Sequence, residues 1–198
     1  MTTPFSLDPT RTAVLSMDLQ AAIVARYTGD QDGLLTRAAA VLHAAREHGM
    51  CVIHIQVGFR PGLPEVNPRN QLFGAIKSSP QYQPMFQGAG GAIHPAVAPI
   101  GDDIVVTKHR VNAFAGTDLE MILRAKEIDT LVLFGIATSG VVLSTLLDAS
   151  DADYRLVVLK DCCTDLEAEV HACLMEKIFP RRAAVLAAQE FLDALQPH

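Results

Sequence analysis

The run Thr130-Leu131-Val132-Leu133-Phe134-Gly135, followed at once by Ile136-Ala137-Thr138-Ser139-Gly140-Val141, decides the fold. No polar side chain follows Thr130 in the first half, so the run reads as a strand buried on both faces. The second half is a turn of small residues. It opens a helix from about Thr138 to Ser150 that buries Val141, Val142, Thr145, Leu146 and Ala149. A strand buried on both faces and leading straight into a helix is the unit of a parallel sheet covered on both sides.

The same rhythm repeats outward from this unit. Thr12 to Asp18 is a short apolar run ending in a carboxylate, and Cys51 to Gln56, Asp103 to Lys108 and Tyr154 to Lys160 read as further strands. Leu34, Leu35, Ala38, Val41, Leu42 and Ala45 fall on one helical face, with Asp30 or Asp32 as the expected cap and Gly49 as the stop. Thr117-x-x-Glu120 and Thr164-x-x-Glu167 read as capping boxes opening two more helices, the second ended by Phe179-Pro180. Ala183–Ala187 and Phe191–Leu195 close the chain as a short strand and a helix. Residues 57–103 show no sustained period apart from a helical turn at Leu72–Lys77, the mark of a binding loop. The expectation is a single domain over residues 1–198. Its architecture is a three-layer, doubly wound α/β sheet of about six mainly parallel strands in the order 3-2-1-4-5-6.

Composition excludes several functions. The 198 residues carry 16 Lys+Arg against 22 Asp+Glu, a net charge of −6, so no basic excess favours nucleic acid or an anionic membrane. Trp is absent and aromatics are 6%, which leaves little with which to build a base-stacking platform. Met1 to Ser6 lacks the basic and apolar stretches of a signal peptide, and no apolar run nears the roughly 18 residues of a membrane span. Cys51, Cys162, Cys163 and Cys173 form no CxxC, and two are adjacent, which suits reduced thiols in a cytoplasmic protein.

In the expected strand order a crevice opens where strands 1 and 4 diverge at their carboxyl ends. Asp18 and the Gly135–Val141 turn meet there, flanked by Gln56, Lys108, His109 and Arg110. Asp18 is then an acid/base whose carboxyl is raised by desolvation and lowered by a cation, with Lys108 as that cation. The plain alternatives are a helix cap for Asp18 and a solvated lysine. Gly140 and Val141 offer backbone N–H groups to an oxyanion. Arg60, His109 and Arg110 are placed to hold a substrate carboxylate, and Phe114 and Ser139 complete the expected binding residues.

Other chemistries lack their motifs. No GxGxxG follows strand 1, Gly88-Ala89-Gly90-Gly91 is no P-loop, and Ser139 is not in a GxSxG elbow. The histidines show no paired ligand spacing and His54 reads as a core residue, so neither metal nor cofactor is expected.

The segments AVLSMDLQ, VVTKHRVNAFAGTDL, GIATSGVVLSTLLDA and YRLVVLKDCC together resemble the isochorismatase-like hydrolases, the cysteine hydrolase superfamily, over roughly Thr12 to Leu195. The resemblance implies an α/β fold, dimers or tetramers, and a triad of Asp, Lys and Cys. Asp18 and Lys108 match the first two, but the Cys position holds Val141, which has no nucleophilic atom. The metal-binding Asp and His of the nicotinamidase branch have no clear counterparts. True isochorismatases work without the Cys. In them the Asp protonates a vinyl ether carbon and water captures the cation. They carry Gly at the Cys position and a Gln that Gln56 resembles. The resemblance thus implies a hydrolase of a small carboxylated molecule acting through Asp18 and Lys108, or a catalytically inactive pseudoenzyme that binds a small molecule. Cys162 or Cys163 is a substitute nucleophile to be tested by location.

Overall fold

The computed structural model describes residues 7–29 and 31–196. Six parallel strands, β1 (Thr12–Met17), β2 (Cys51–Val57), β3 (Ile104–Lys108), β4 (Thr130–Ile136), β5 (Arg155–Thr164) and β6 (Ala184–Leu186), form one sheet in the order β3-β2-β1-β4-β5-β6. This is the doubly wound order expected from the strand–helix rhythm. Every residue of β1 and β4 is buried, which is why both read as largely apolar runs. At the edge, β3 alternates instead, leaving Val105 half exposed.

Eight α-helices lie among the described residues: α1 (Ala21–Tyr27), α2 (Gln31–Glu47), α3 (Gln71–Ser78), α4 (Gly88–Gly91), α5 (Leu119–Ala125), α6 (Leu143–Asp151), α7 (Ala168–Cys173) and α8 (Ala188–Ala194). The helices cover both faces of the sheet. On one, α2 packs on α8 and on β1, β2 and β5, burying the Leu34–Ala45 stripe. Asp30, one of the two expected caps of α2, lies outside the described residues, as does Met1 to Ser6. Asp32 sits inside the first turn of α2, where a carboxylate suits the helix dipole.

Two capping expectations are corrected. Asp118, not Thr117, precedes α5, and Thr117 instead accepts from the Leu119 N–H (3.3 Å) while donating to the Ala113 carbonyl (2.6 Å). Thr164 extends β5, which runs past Lys160, and α7 begins only at Ala168 with Glu167 before it and no side-chain cap. In both places a serviceable cap residue was drawn into a competing local hydrogen bond or a strand.

Between β2 and β3 the chain is built, not loose. Asn70 caps α3 through the Phe73 N–H at 3.0 Å. Phe59 meets Phe73 (5.4 Å) and Phe86 (5.7 Å) edge to face, which folds the segment back onto the carboxyl end of the sheet. Buried Gln20, just past β1, ties this region down. Its amide donates to the carbonyls of Val57 (2.9 Å) and Gly91 (2.6 Å), and its oxygen accepts from the Val57 N–H (2.8 Å).

Candidate active site

Asp18 follows β1, and its φ of +55° turns the chain sharply out of the sheet. A short polar side chain tolerates this left-handed backbone better than most, and such outliers gather where geometry is functional. The Asp18 N–H still donates to the Ile55 carbonyl at 2.8 Å, so the turn is held by β2. Lys108 ends β3, two strands away. Adjacent strands lie about 4.8 Å apart, so only a long side chain can cross the end of β2 to reach Asp18. Lys108 does so: its Nζ donates to Asp18 Oδ2 at 2.8 Å and to the Arg110 carbonyl at 3.1 Å.

Both partners are buried, Asp18 with 6% and Lys108 with 1% of its surface exposed. Burial pushes the Asp18 carboxyl up, and the Lys108 charge and hydrogen bond pull it down. Burial wins, so the carboxyl sits above its ordinary range. Asp18 Oδ1 is buried without a hydrogen-bond partner. A buried carboxylate oxygen left unpaired is costly, whereas a protonated or ligand-bound one is not.

Opposite lies the β4–α6 turn. At Gly135, φ is +143° and an added Cβ would run into the Met17 carbonyl oxygen, so only glycine lets β1 and β4 approach this closely. The following residues are pinned from outside. Buried Thr138 bonds through Oγ1 to His171 Nδ1 at 2.8 Å, and the Ser139 N–H donates to Asp165 Oδ2 at 2.7 Å. A π turn, Thr138–Val142, leads into α6 and places Val141 with Asp18 and Lys108 in the wall of one cavity of about 280 Å³.

Asp18, Lys108, Gly140 and Val141 all line this cavity. Of the expected backbone donors, that of Gly140 is engaged by the Ala137 carbonyl at 3.1 Å. None of the remaining expected residues is in the cavity wall, and Phe114 is drawn away to Tyr154, which precedes β5 at the opposite end of the sheet. Gln56 donates to Thr107 Oγ1 (3.0 Å), Arg60 pairs with Glu65 (2.5 Å), and Phe114 stacks on Tyr154 (6.3 Å). His109 bonds the Gly58 carbonyl (2.6 Å), and Arg110 spends its guanidinium on the carbonyls of His109 (2.6 Å) and Glu65 (3.0 Å). Ser139 acts through its backbone. The wall includes residues that the periodicity left unread: Ile23, Arg26 and Tyr27 from α1, and Phe73, Tyr82 and Phe86 from the segment between β2 and β3. The i, i+4 spacing of Ile23 and Tyr27 was the available signal for α1.

Neither Cys162 nor Cys163 lines the cavity. Burial raises both thiols, Cys163 to about 12 and Cys162 further still, which makes them packed side chains and not thiolates. Among the described residues no three His, Cys, Asp or Glu side chains gather as a metal would require. No helix of the described residues is long and apolar enough to cross a membrane.

The doubly wound sheet agrees with the comparison to known proteins. The model of the isochorismatase domain matches residues 12–190. The chain belongs to the isochorismatase family. It is 33% identical to the isochorismatase family protein YecD of Escherichia coli, over 96% of this chain and 98% of that one. The maleamate amidohydrolase of Pseudomonas putida is 28% identical, over 81% of this chain and 73% of its own. An isochorismatase family protein from Burkholderia thailandensis superimposes with a TM-score of 0.86 at 28% identity, covering 98% of this chain and 100% of that one. The protein is an isochorismatase-family hydrolase related to amidohydrolases.

Proposed function

We propose that the protein hydrolyses a small carboxylated molecule by acid–base chemistry of Asp18 and Lys108, without a cysteine nucleophile. The observation that carries this reading is the buried, unpartnered Asp18 Oδ1 beside the cavity, on a carboxyl whose proton is held more tightly than usual. That is a proton donor with no competing partner. Val141 stands where the family resemblance puts the thiol, so a covalent thioester route has no attacking atom.

For a vinyl ether the step balances as follows. Asp18 gives its proton to the vinyl carbon, the π pair forms the new C–H bond, and positive charge develops at the ether carbon. Lys108 steadies the carboxylate left behind. Water adds to the cation and returns a proton to Asp18, and the resulting hemiketal splits into a carbonyl compound and an alcohol. The related amidohydrolases are named for maleamate and ureidoacrylate, both carboxylates, which supports an anionic substrate.

Val141 also favours a second reading, a catalytically inactive small-molecule binder that kept the cavity. A turnover screen by NMR separates the two, spanning vinyl ethers including isochorismate, esters, small amides and ureido acids. Loss of a vinyl ether or ester that vanishes in Asp18→Asn supports the hydrolase. Amide or ureido turnover retained in Asp18→Asn overturns it, and saturable binding with no turnover of any compound establishes the binder.

A further inference from the structure

Resting on the hydrolase reading for its substrate class, we infer that Arg26, with Tyr27 beside it, forms the subsite that receives the substrate's carboxylate. The cationic side chains first expected in that role are occupied within the protein: Arg60 by Glu65, and Arg110 by two backbone carbonyls. His109 is spent on Gly58. Of the residues lining the cavity, only Arg26 and Lys108 are cationic, and Lys108 is committed to Asp18.

Arg26 is exposed and lines the cavity from the last turn of α1. Its guanidinium carbon lies over the Tyr82 ring, 5.7 Å from the centroid, and among the described residues no carboxylate pairs with it. A guanidinium near an aromatic ring keeps its planar fork of N–H donors, which suits a carboxylate in two-point fashion. Tyr27, next to Arg26 in the chain, also lines the cavity. Burial raises its phenol, the charges of Asp165 and Asp18 raise it further, and Arg26 opposes them, so the group stays a neutral O–H donor.

Most of the rest of the wall is apolar, including Ile23, Phe73, Ile76 and Phe86. The cavity therefore offers a ligand a site for a hydrolysable group at Asp18, a largely apolar wall for a compact apolar or aromatic body, and a cation for an anion at Arg26. A volume of about 280 Å³ falls just below the usual range of ligand sites, about 300 to 1,000 Å³, so the ligand is small.

The test is a binding titration by ligand-observed NMR with phenylacetate and the uncharged, near-isosteric phenylacetamide. Wild-type protein binds phenylacetate about fivefold more tightly, and the margin narrows with added salt, as expected for a pair at a partly exposed rim. Arg26→Gln removes the preference and leaves phenylacetamide affinity within twofold, while Arg26→Lys restores part of it. Tyr82→Leu, which deletes the ring and keeps the charge, retains the preference.

Equal weakening of both probes by Arg26→Gln would mean that Arg26 only holds Tyr82 in place, and would overturn the subsite. So would a preference that survives Arg26→Gln, or the absence of saturable binding to wild-type protein. Binding needs no turnover, so an inactive protein that still prefers phenylacetate through Arg26 would refute the hydrolase and leave the subsite standing.

Discussion

Strand β3 carries a buried carboxylate cluster near each end, and the two are built on opposite principles. Before its first residue, Asp103 accepts from Arg46 at 2.6 and 3.2 Å, from the Ile100 N–H at 2.9 Å and from His54 Nε2 at 3.1 Å. At its last residue, Lys108 meets Asp18 through one carboxylate oxygen and leaves the other unpaired. Burial pushes both carboxyls up. At Asp103 the hydrogen bonds and the Arg46 charge outweigh burial and the carboxyl falls below its usual range, whereas at Asp18 burial prevails. His54, lowered by burial against the pull of Asp103, is a neutral donor to that carboxylate. A fully satisfied carboxylate holds the fold together. An under-satisfied one, beside a cavity, is available for chemistry.

The sharpest way to break this contrast is Asp18→Asn. It is expected to lower turnover about 10³-fold, within the usual range for removing a general acid, with circular dichroism unchanged. Unaltered turnover, followed by NMR on any substrate the screen finds, would place the chemistry elsewhere. Asp103→Asn should do the reverse. Urea denaturation is expected to show a loss of about 2–3 kcal/mol, as a buried Arg pair loses its charge, while turnover per folded molecule stays within twofold.

The two carboxyls also bend stability with pH in opposite senses. A depressed pKa makes the Asp103 contribution full above the ordinary value of 3.8 and lost as pH falls through the lower folded value. The gap between wild type and Asp103→Asn therefore closes in acid. The raised pKa of Asp18 gives a contribution present below 3.8 and lost as pH rises through the folded value. As a proton donor Asp18 loses kcat/KM over that same rise.

Val141→Cys sharpens the contrast from the other side of the cavity. A thiol beside Lys108 should react with iodoacetamide about tenfold faster than the cysteines of the wild-type protein, measured by mass spectrometry. The smallest effect is expected for Cys163→Ala, whose turnover should stay within twofold of wild type, because the thiol is buried, raised to about 12 and outside the cavity wall. A large loss there would revive it as a nucleophile.

The sheet and the acid pair were legible because they depend on local pattern. Buried strands such as Leu131–Phe134 can only be apolar, and a polar residue closing each, Asp18 or Lys108, falls at the carboxyl end by construction. The cavity wall was not legible. Phe59, Phe73 and Phe86 come together from positions far apart in sequence, and Gln20 secures their segment through Gly91, so no periodicity announces either contact. The expected carboxylate binders Arg60 and Arg110 illustrate the same limit: residue type shows a cation, and only the fold shows whether Glu65 or a backbone carbonyl already occupies it. At Thr117 and Thr164 the capping pattern was present, but tertiary context gave each residue other work.

The most direct test is a ¹³C NMR titration of protein labelled at the aspartate carboxyl carbons, with Asp18→Asn and Asp103→Asn assigning the two signals. The account predicts that Asp18 titrates above 3.8 and Asp103 below it. An Asp18 signal that stays ionised down to Asp103's midpoint would contradict it, because the family's acid position would then hold only a salt-bridge anchor.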